Sequence, residues 1–145
     1  MRRVNIGCGP YAQPGYINID KNARWPNVDI VRDIRLGLPF DDSSVDEILA
    51  SHVLEHLDSD ELMNVMQECY RVLKPGCAIN IVVPLHDLES MDHKLILSAD
   101  SFDHLASDAN VYYDKKFKWR TTYKEVQKKP DQKYEHLNIS FAAEK

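Results

Sequence analysis

The segment VNIGCGPYAQPGYINID, from Val4 to Asp20, sets Gly7 and Gly9 directly after one β-branched run and an acid, Asp20, at the end of a second. Glycines in such a loop let backbone come close to a ligand where a side chain would clash. An acid that closes the next strand can accept both hydroxyls of a ribose. A second acid, Asp33, follows the third run in DIVRDI, with Ile34 beside it. Further along, SHVLEH carries Ser51, His52, Glu55 and His56, and MDHK carries Asp92 and His93. Together with His86 and Asp87, these histidines supply candidate proton acceptors, because the unperturbed imidazole titrates near neutrality.

The elements that must position these residues follow from short Val/Ile runs between turn signals. Strands are expected near residues 3–7, 16–20, 28–32, 46–51 and 77–83. A helix is expected over 59–73. Asp58 or Ser59 can cap it, Asp60 and Glu61 favour its positive end, and LKPG stops it. Its stripe of Leu62, Val65, Met66, Cys69, Val72 and Leu73 recurs at helical spacing. A second helix is expected over 99–107. Strands near 113–127 and 134–143 then close the chain, the first of them alternating Phe117, Trp119, Thr121 and Tyr123 with a basic side of Lys118, Arg120, Thr122 and Lys124.

Between the first two strands lie only Cys8 to Gly15, with two prolines and two glycines among them. Parallel strands normally need a crossover of about a dozen residues or more, so this link has to be an irregular loop. A sheet without helices on one face should alternate rather than be apolar throughout. Val4 and Ile6 flank Asn5, Ile17 and Ile19 flank Asn18, and Ile79 and Ile81 flank Asn80. The expectation is a sheet covered on one face by the helices after Asp58 and Ser98. The Asn5/Asn18/Asn80 face is then wet or covered by a partner.

Composition narrows the class. The 145 residues are 43% hydrophobic and 28% charged, which suits one soluble domain spanning 1–145. No apolar run approaches the roughly 18 residues that span a bilayer, and no signal-peptide pattern opens the chain. Cys8, Cys69 and Cys77 are odd in number and form no CxxC pair. That argues against a disulfide framework and a cysteine zinc site, and for a reducing cytoplasm. The net charge of −5 conceals a basic stretch, Asp114 to Lys133, with eight basic residues and three acids. Such a run is a solvated face or a surface for an acidic acceptor.

VNIGCGP, GYINID, DIVRDI, LPFDDSSVDEILASHVLEHL and VLKPGCAINIVVP, in that order, resemble the class I S-adenosylmethionine-dependent methyltransferases, in particular a compact type-11-like group. The resemblance covers residues 3 to about 85, with MDHK and SADSF a loose echo beyond. It implies an α/β, Rossmann-like class I methyltransferase sheet in reduced form, with helices mainly on one face and a C-terminal antiparallel strand pair. It implies S-adenosyl-L-methionine as cofactor, with Gly7, Cys8 and Gly9 around its methionine end. Asp20 then takes the ribose, Asp33 and Ile34 the adenine, and Ser51 and His52 the sulfonium region. Cys8 itself reads as a packed thiol rather than a nucleophile. For catalysis the resemblance favours His93 as base or positioning residue, then His56, and a small-molecule acceptor, hydroxylated or phosphorylated.

Rival readings are weaker. HVLEH satisfies an H-x-x-E-H metal-hydrolase pattern through His52, Glu55 and His56, but that chemistry needs both histidines on one helix. GCGPYA satisfies a nicotinamide G-x-G-x-x-A fingerprint, yet Asp20 comes too soon and no helix follows. The fourth strand lacks the signature of amino-methylating DNA enzymes, and no stacking pattern points to nucleic acid. The reading from another class is a donor-binding module without turnover, acting as a regulatory or assembly subunit; separately, a homo-oligomer or another partner on the Asn5/Asn18/Asn80 face is an open expectation. No metal is assigned from the sequence.

Overall fold

Two-residue alternation governs the architecture. In the computed structural model, which describes residues 1–106 and 117–145, seven strands form one sheet. They are β1 (Arg3–Ile6), β2 (Ile17–Asp20), β3 (Ile30–Val31), β4 (Val45–Ser51), β5 (Leu73–Pro84), β6 (Trp119–Gln127) and β7 (His136–Ala143). Their order is β3-β2-β1-β4-β5-β7-β6, parallel from β3 to β5 and antiparallel at β5–β7 and β7–β6. The expected strands are all present, β3 reduced to two residues; residues 113–116 of the expected sixth strand fall outside the described residues.

One helix, α1 (Ser59–Val72), is the α-helix of the described residues. Its start is a capping box: Asp58 accepts from the Glu61 N–H at 2.8 Å, and Glu61 accepts from the Asp58 N–H at 3.0 Å. Val65, Met66, Cys69, Tyr70 and Val72 are buried against Val4, Ile6, Ile48, Ile79, Ile81 and Ile139 of the sheet. Glu68 and Arg71 hold the Leu38–Asp42 stretch to α1 through the Leu38 N–H and the carbonyls of Leu38 and Phe40. The second helix expected over 99–107 is not formed. Residues 103–106 make a single 3-10 turn, Ser107 lies outside the described residues, and Phe102, 2% exposed, is what this segment adds to the core. Ser98 and Ser101 bond to each other and spend their side chains on a turn.

The asparagine face corrects the second expectation. Asn5 and Asn18 are buried, not wet. The residue 8–16 loop, which holds no helix, folds back over them. The Asn18 side-chain oxygen accepts from the Gln13 N–H at 2.8 Å and from Asn5 Nδ2 at 3.0 Å. Its amide donates to the carbonyls of Gln13 at 3.2 Å and Tyr16 at 3.1 Å. The chain therefore covers these two residues itself, and neither is available to a partner. Asn80 is half-buried in a polar chain across the sheet. Tyr16 Oη donates to Glu47 at 2.7 Å, Asn80 Nδ2 to the same oxygen at 2.9 Å, and Ser140 Oγ to Asn80 at 2.7 Å.

Asn18→Ala removes these bonds and leaves buried loop amides and carbonyls without partners. It is expected to lower stability to urea by about 1–3 kcal/mol. A loss below about 0.5 kcal/mol, the range of ordinary surface changes, would show that the loop does not depend on this side chain.

Candidate functional site

The carboxyl ends of β1, β2, β3 and β4 open onto one cavity of about 700 Å³, within the roughly 300–1,000 Å³ of small-ligand sites. Gly7, Cys8, Gly9, Asp20, Asp33, Ile34, Ser51 and His52 all line it, so the structure brings every residue assigned to donor binding together. His56 and Asp92 line it as well.

The two glycines have different reasons. Gly7 has φ +61°, and a Cβ there would stand 2.2 Å from Val53 Cγ2. Gly9 has φ +51°, and a Cβ there would meet nothing within 4 Å. Gly7 thus serves packing under the loop, while Gly9 faces open space. The Gly9 N–H donates to Asp20 Oδ2 at 2.9 Å and the Asn22 N–H to Oδ1 at 2.8 Å. One bond per carboxylate oxygen leaves acceptor capacity on both for a pair of hydroxyls. Cys8 is buried, and burial with the nearby Asp20 charge pushes its thiol pKa up. That fits a packed thiol and opposes a nucleophile.

Asp33 is more committed than the sequence suggests. The Arg35 guanidinium binds it through Nη2 at 2.6 Å and Nε at 3.0 Å, and the Arg35 N–H adds a third donor at 3.0 Å. These bonds, the guanidinium's first, hold the Asp33 carboxyl down to about 2. Arg35 continues to Glu61 at 2.9 Å, tying the Asp33 end of the cavity to the first turn of α1. An amino group reaching Asp33 would share it with Arg35. Trp25, Asn22 and Lys94 also line the cavity and were missed. The only available signal was the lone aromatic of KNARWPN; nothing local marks Lys94.

At the other end sits a histidine group. His52 has φ +54°, and burial together with neighbouring histidines lowers its pKa. Its ring meets that of His136 edge-on at 5.1 Å. His56 lies in a 3-10 turn, Leu54–His56, with Nδ1 3.1 Å from the Asp92 carbonyl. His93 does not line the cavity but stands behind His56, ring to ring at 4.8 Å, with Nδ1 3.0 Å from Asp87 Oδ2. Asp87 is set by Ser90 Oγ at 2.6 Å and the N–H groups of Glu89 and Ser90, which hold it down to about 2. Beneath them Glu55 is 1% exposed with neither carboxylate oxygen hydrogen-bonded. Desolvation drives its pKa up to about 7. His86 is exposed and outside the cavity lining.

Two sequence readings lose their ground here. The histidines of HVLEH share no helix, since β4 ends at Ser51 and His52 has left-handed backbone. The basic face of β6 lies on the outer strand, away from the cavity, and carries its own counter-charges. Lys124 pairs with Asp100 and Asp103, and Arg120 with Glu144. A register shift between Thr121 and Tyr123 also breaks the expected alternation.

A methyltransferase-domain family model matches residues 11–81. A probable S-adenosylmethionine-dependent methyltransferase of Mycolicibacterium smegmatis is 40% identical over 63 residues, a match spanning 43% of this chain and only 23% of that protein. Among solved structures, the N-methyltransferase NodS from Bradyrhizobium japonicum, in complex with S-adenosyl-L-homocysteine, aligns with TM-score 0.73. It does so at 15% identity over 99% of this chain and 78% of that one. The Burkholderia thailandensis 1,6-didemethyltoxoflavin-N1-methyltransferase, with bound 1,6-didemethyltoxoflavin and S-adenosylhomocysteine, aligns with TM-score 0.69 at 13% identity over 99% of this chain and 71% of that one.

The Asp33–Arg35–Glu61 bridge sets a pH dependence. Asp33, held by Arg35, and Glu61, held first by the Asp58 N–H and then by Arg35, are both down to about 2; they contribute stability that is present above the usual carboxylate range and lost as pH falls through their folded values. Melting temperature is expected to fall between about pH 4 and pH 2 more steeply in the wild type than in Arg35→Met. Parallel acid limbs in the two proteins would show that the bridge carries no folding energy.

Proposed function

We propose that this chain, whose residues 11–81 match a methyltransferase-domain family model, is a class I, S-adenosylmethionine-dependent methyltransferase that methylates a small hydroxylated acceptor at the His56 end of the cavity. The observation that carries this reading is one continuous wall running from Gly9 and Asp20 to His56 and Asp92. Donor and acceptor ends of a transfer site need that continuity.

The residues present suit the donor. Gly9 leaves open space against backbone, and Asp20 keeps free acceptor capacity. Trp25 lines the same cavity as Asp33 and Ile34 and adds an aromatic side chain to it. The bound donor supplies a methyl group already activated on a sulfonium. The protein's work is then alignment and exclusion of water, with proton removal only where the acceptor is a hydroxyl. Ser51 and His52, at the carboxyl end of β4, border the place where the methyl would leave. His56 presents its ring at the cavity wall with Nδ1 turned to the Asp92 carbonyl, so Nε2 is the nitrogen free to take a proton. His93 acts through His56 as a positioning residue, its ring packed edge-on against it. A phosphorylated acceptor draws less support, because the cations of β6 are paired away from the cavity.

Calorimetric titration with S-adenosylhomocysteine is expected to show saturable one-to-one binding, weakened at least about tenfold, or 1.4 kcal/mol, in Asp20→Ala. Trp119 is buried and Trp25 lines the cavity. The same titration should therefore change the tryptophan fluorescence of the wild type and not of Trp25→Phe. Absence of binding by the folded wild type would overturn the reading. Methyl transfer to hydroxylated small molecules then separates the enzyme from a donor-binding module.

A further inference from the structure

Glu55 is the anomaly of the molecule. A carboxyl group 1% exposed, with neither oxygen hydrogen-bonded, has lost its hydration without replacement. Burial of an uncompensated carboxylate costs several kcal/mol. Polar partners stand nearby but beyond bonding distance: His52 Nδ1 is 3.8 Å and His56 Nε2 4.0 Å from Oε1. The backbone is not the reason for this placement, since the Glu55 carbonyl is separately satisfied by the N–H groups of Lys94 and Leu95. Those same bonds bring the 90s segment, and His93 with it, over the carboxyl group.

One donor atom each from Glu55, His56 and His93 lies within 4.8 Å of the others. We propose that these three residues form a binding site for a divalent transition-metal ion, zinc above all, at the acceptor end of the cavity. Two imidazoles and a carboxylate are a donor set that zinc accepts, with a fourth position left for water or substrate. The outer contacts favour it. The Asp92 carbonyl at 3.1 Å takes His56 Nδ1 and leaves its Nε2 as the ligand nitrogen, while His93 Nδ1 stands 3.0 Å from Asp87 Oδ2, buried and without a formed hydrogen bond. A carboxylate or carbonyl behind a ligating imidazole orients the ring and raises its basicity. Asp87 is in turn fixed by three donors from Ser90 and Glu89. Donors about 2.1 Å from a tetrahedral ion sit about 3.4 Å apart, so closing on it takes shifts of under about 1 Å per side chain.

The site deepens the function proposed above and rests on it for its role. His56 borders the cavity, so the open position would take the acceptor's oxygen and lower the pKa of its hydroxyl. His56 is then a ligand, and the ion replaces it as the group that eases proton loss.

The test is zinc chloride added to metal-stripped protein, dialysed, and counted by elemental analysis, with S-adenosylhomocysteine titrated separately. One equivalent of zinc per chain is expected. Affinity should fall at least about 100-fold in Glu55→Gln and in His93→Ala, and about 10–100-fold in Asp87→Asn. His86→Asn, altered at an exposed histidine, should bind as the wild type does. X-ray absorption of the zinc-loaded wild type is expected to read two imidazoles at about 2.0–2.1 Å. That measurement needs no variant to fold. No retained zinc, zinc held equally by Glu55→Gln and His93→Ala, or a sulfur ligand at about 2.3 Å would overturn the site. Donor binding that persists without zinc retention would sink the metal proposal alone, and zinc retention without donor binding would sink the donor reading alone.

Discussion

A single buried amide makes the rest of this structure possible. Two parallel strands, β1 and β2, are joined by a loop too short for a helix, and Asn18 holds that loop in place. Its oxygen takes the Gln13 N–H and the Asn5 amide, and its nitrogen donates to Gln13 and Tyr16. Asp29 closes the other side by accepting the Asn18 N–H at 2.8 Å. In a low-dielectric setting such a network is strong when complete and costly when broken. With the loop anchored from β2, the backbone of residues 7–9 reaches the sheet edge in a defined path. Gly9 there meets Asp20.

From that constraint the one-sided build follows. A helix in the first crossover would have covered the asparagine face; without it, the face is closed by polar bonding instead. Tyr16, Glu47, Asn80 and Ser140 run as a hydrogen-bonded line from β2 to β7. The apolar side carries the folding energy, with α1 and the Leu97 and Phe102 region over it. At the far end Tyr70 packs edge-on to Phe117 and Trp119 at 5.3 and 5.2 Å, fastening the antiparallel strands to the helix. The basic residues of β6 stay outside this packing and are neutralised by neighbouring acids.

The site draws its character from opposite treatments of two cavity acids, Asp33 and Asp20, and of Glu55 buried beneath the histidines. Asp33 is saturated by a guanidinium and stays charged. Asp20 is half-satisfied by two backbone donors and retains capacity for a ligand. Glu55 has no donor at all and is driven toward the neutral form by burial. The gradient runs from the Asp33 end of the cavity toward the His56 end, where the least compensated acid lies beneath the histidine group.

Much of this was legible in the chain itself. Alternation of Val4, Ile6, Ile19, Ile79 and Ile81 with asparagines marked the strands and which side of each is apolar, because side chains alternate with a period of two. Gly7, Gly9, Asp20 and Asp33 could be picked out in the chain as candidates for one site, and they line one cavity, because few residue types permit backbone approach or take paired hydroxyls. The capping box of α1 was equally local. What surrounds the asparagines was not legible, since the loop that buries Asn5 and Asn18 has no regular signature. Nor was the short turn in place of the second helix, where serines bond to each other rather than to a helical backbone. The association of Glu55 and His56 with His93 is the clearest case. They are nearly forty positions apart, and only the docking of Lys94 and Leu95 on the Glu55 carbonyl brings them together. The sequence by itself determined the strands, the glycine loop and the acids Asp20 and Asp33 that end up on the cavity wall, because each depends on local periodicity or residue type. Tertiary structure alone decided which histidine faces the cavity and which acid is left buried without a partner, because desolvation and long-range contact have no local trace.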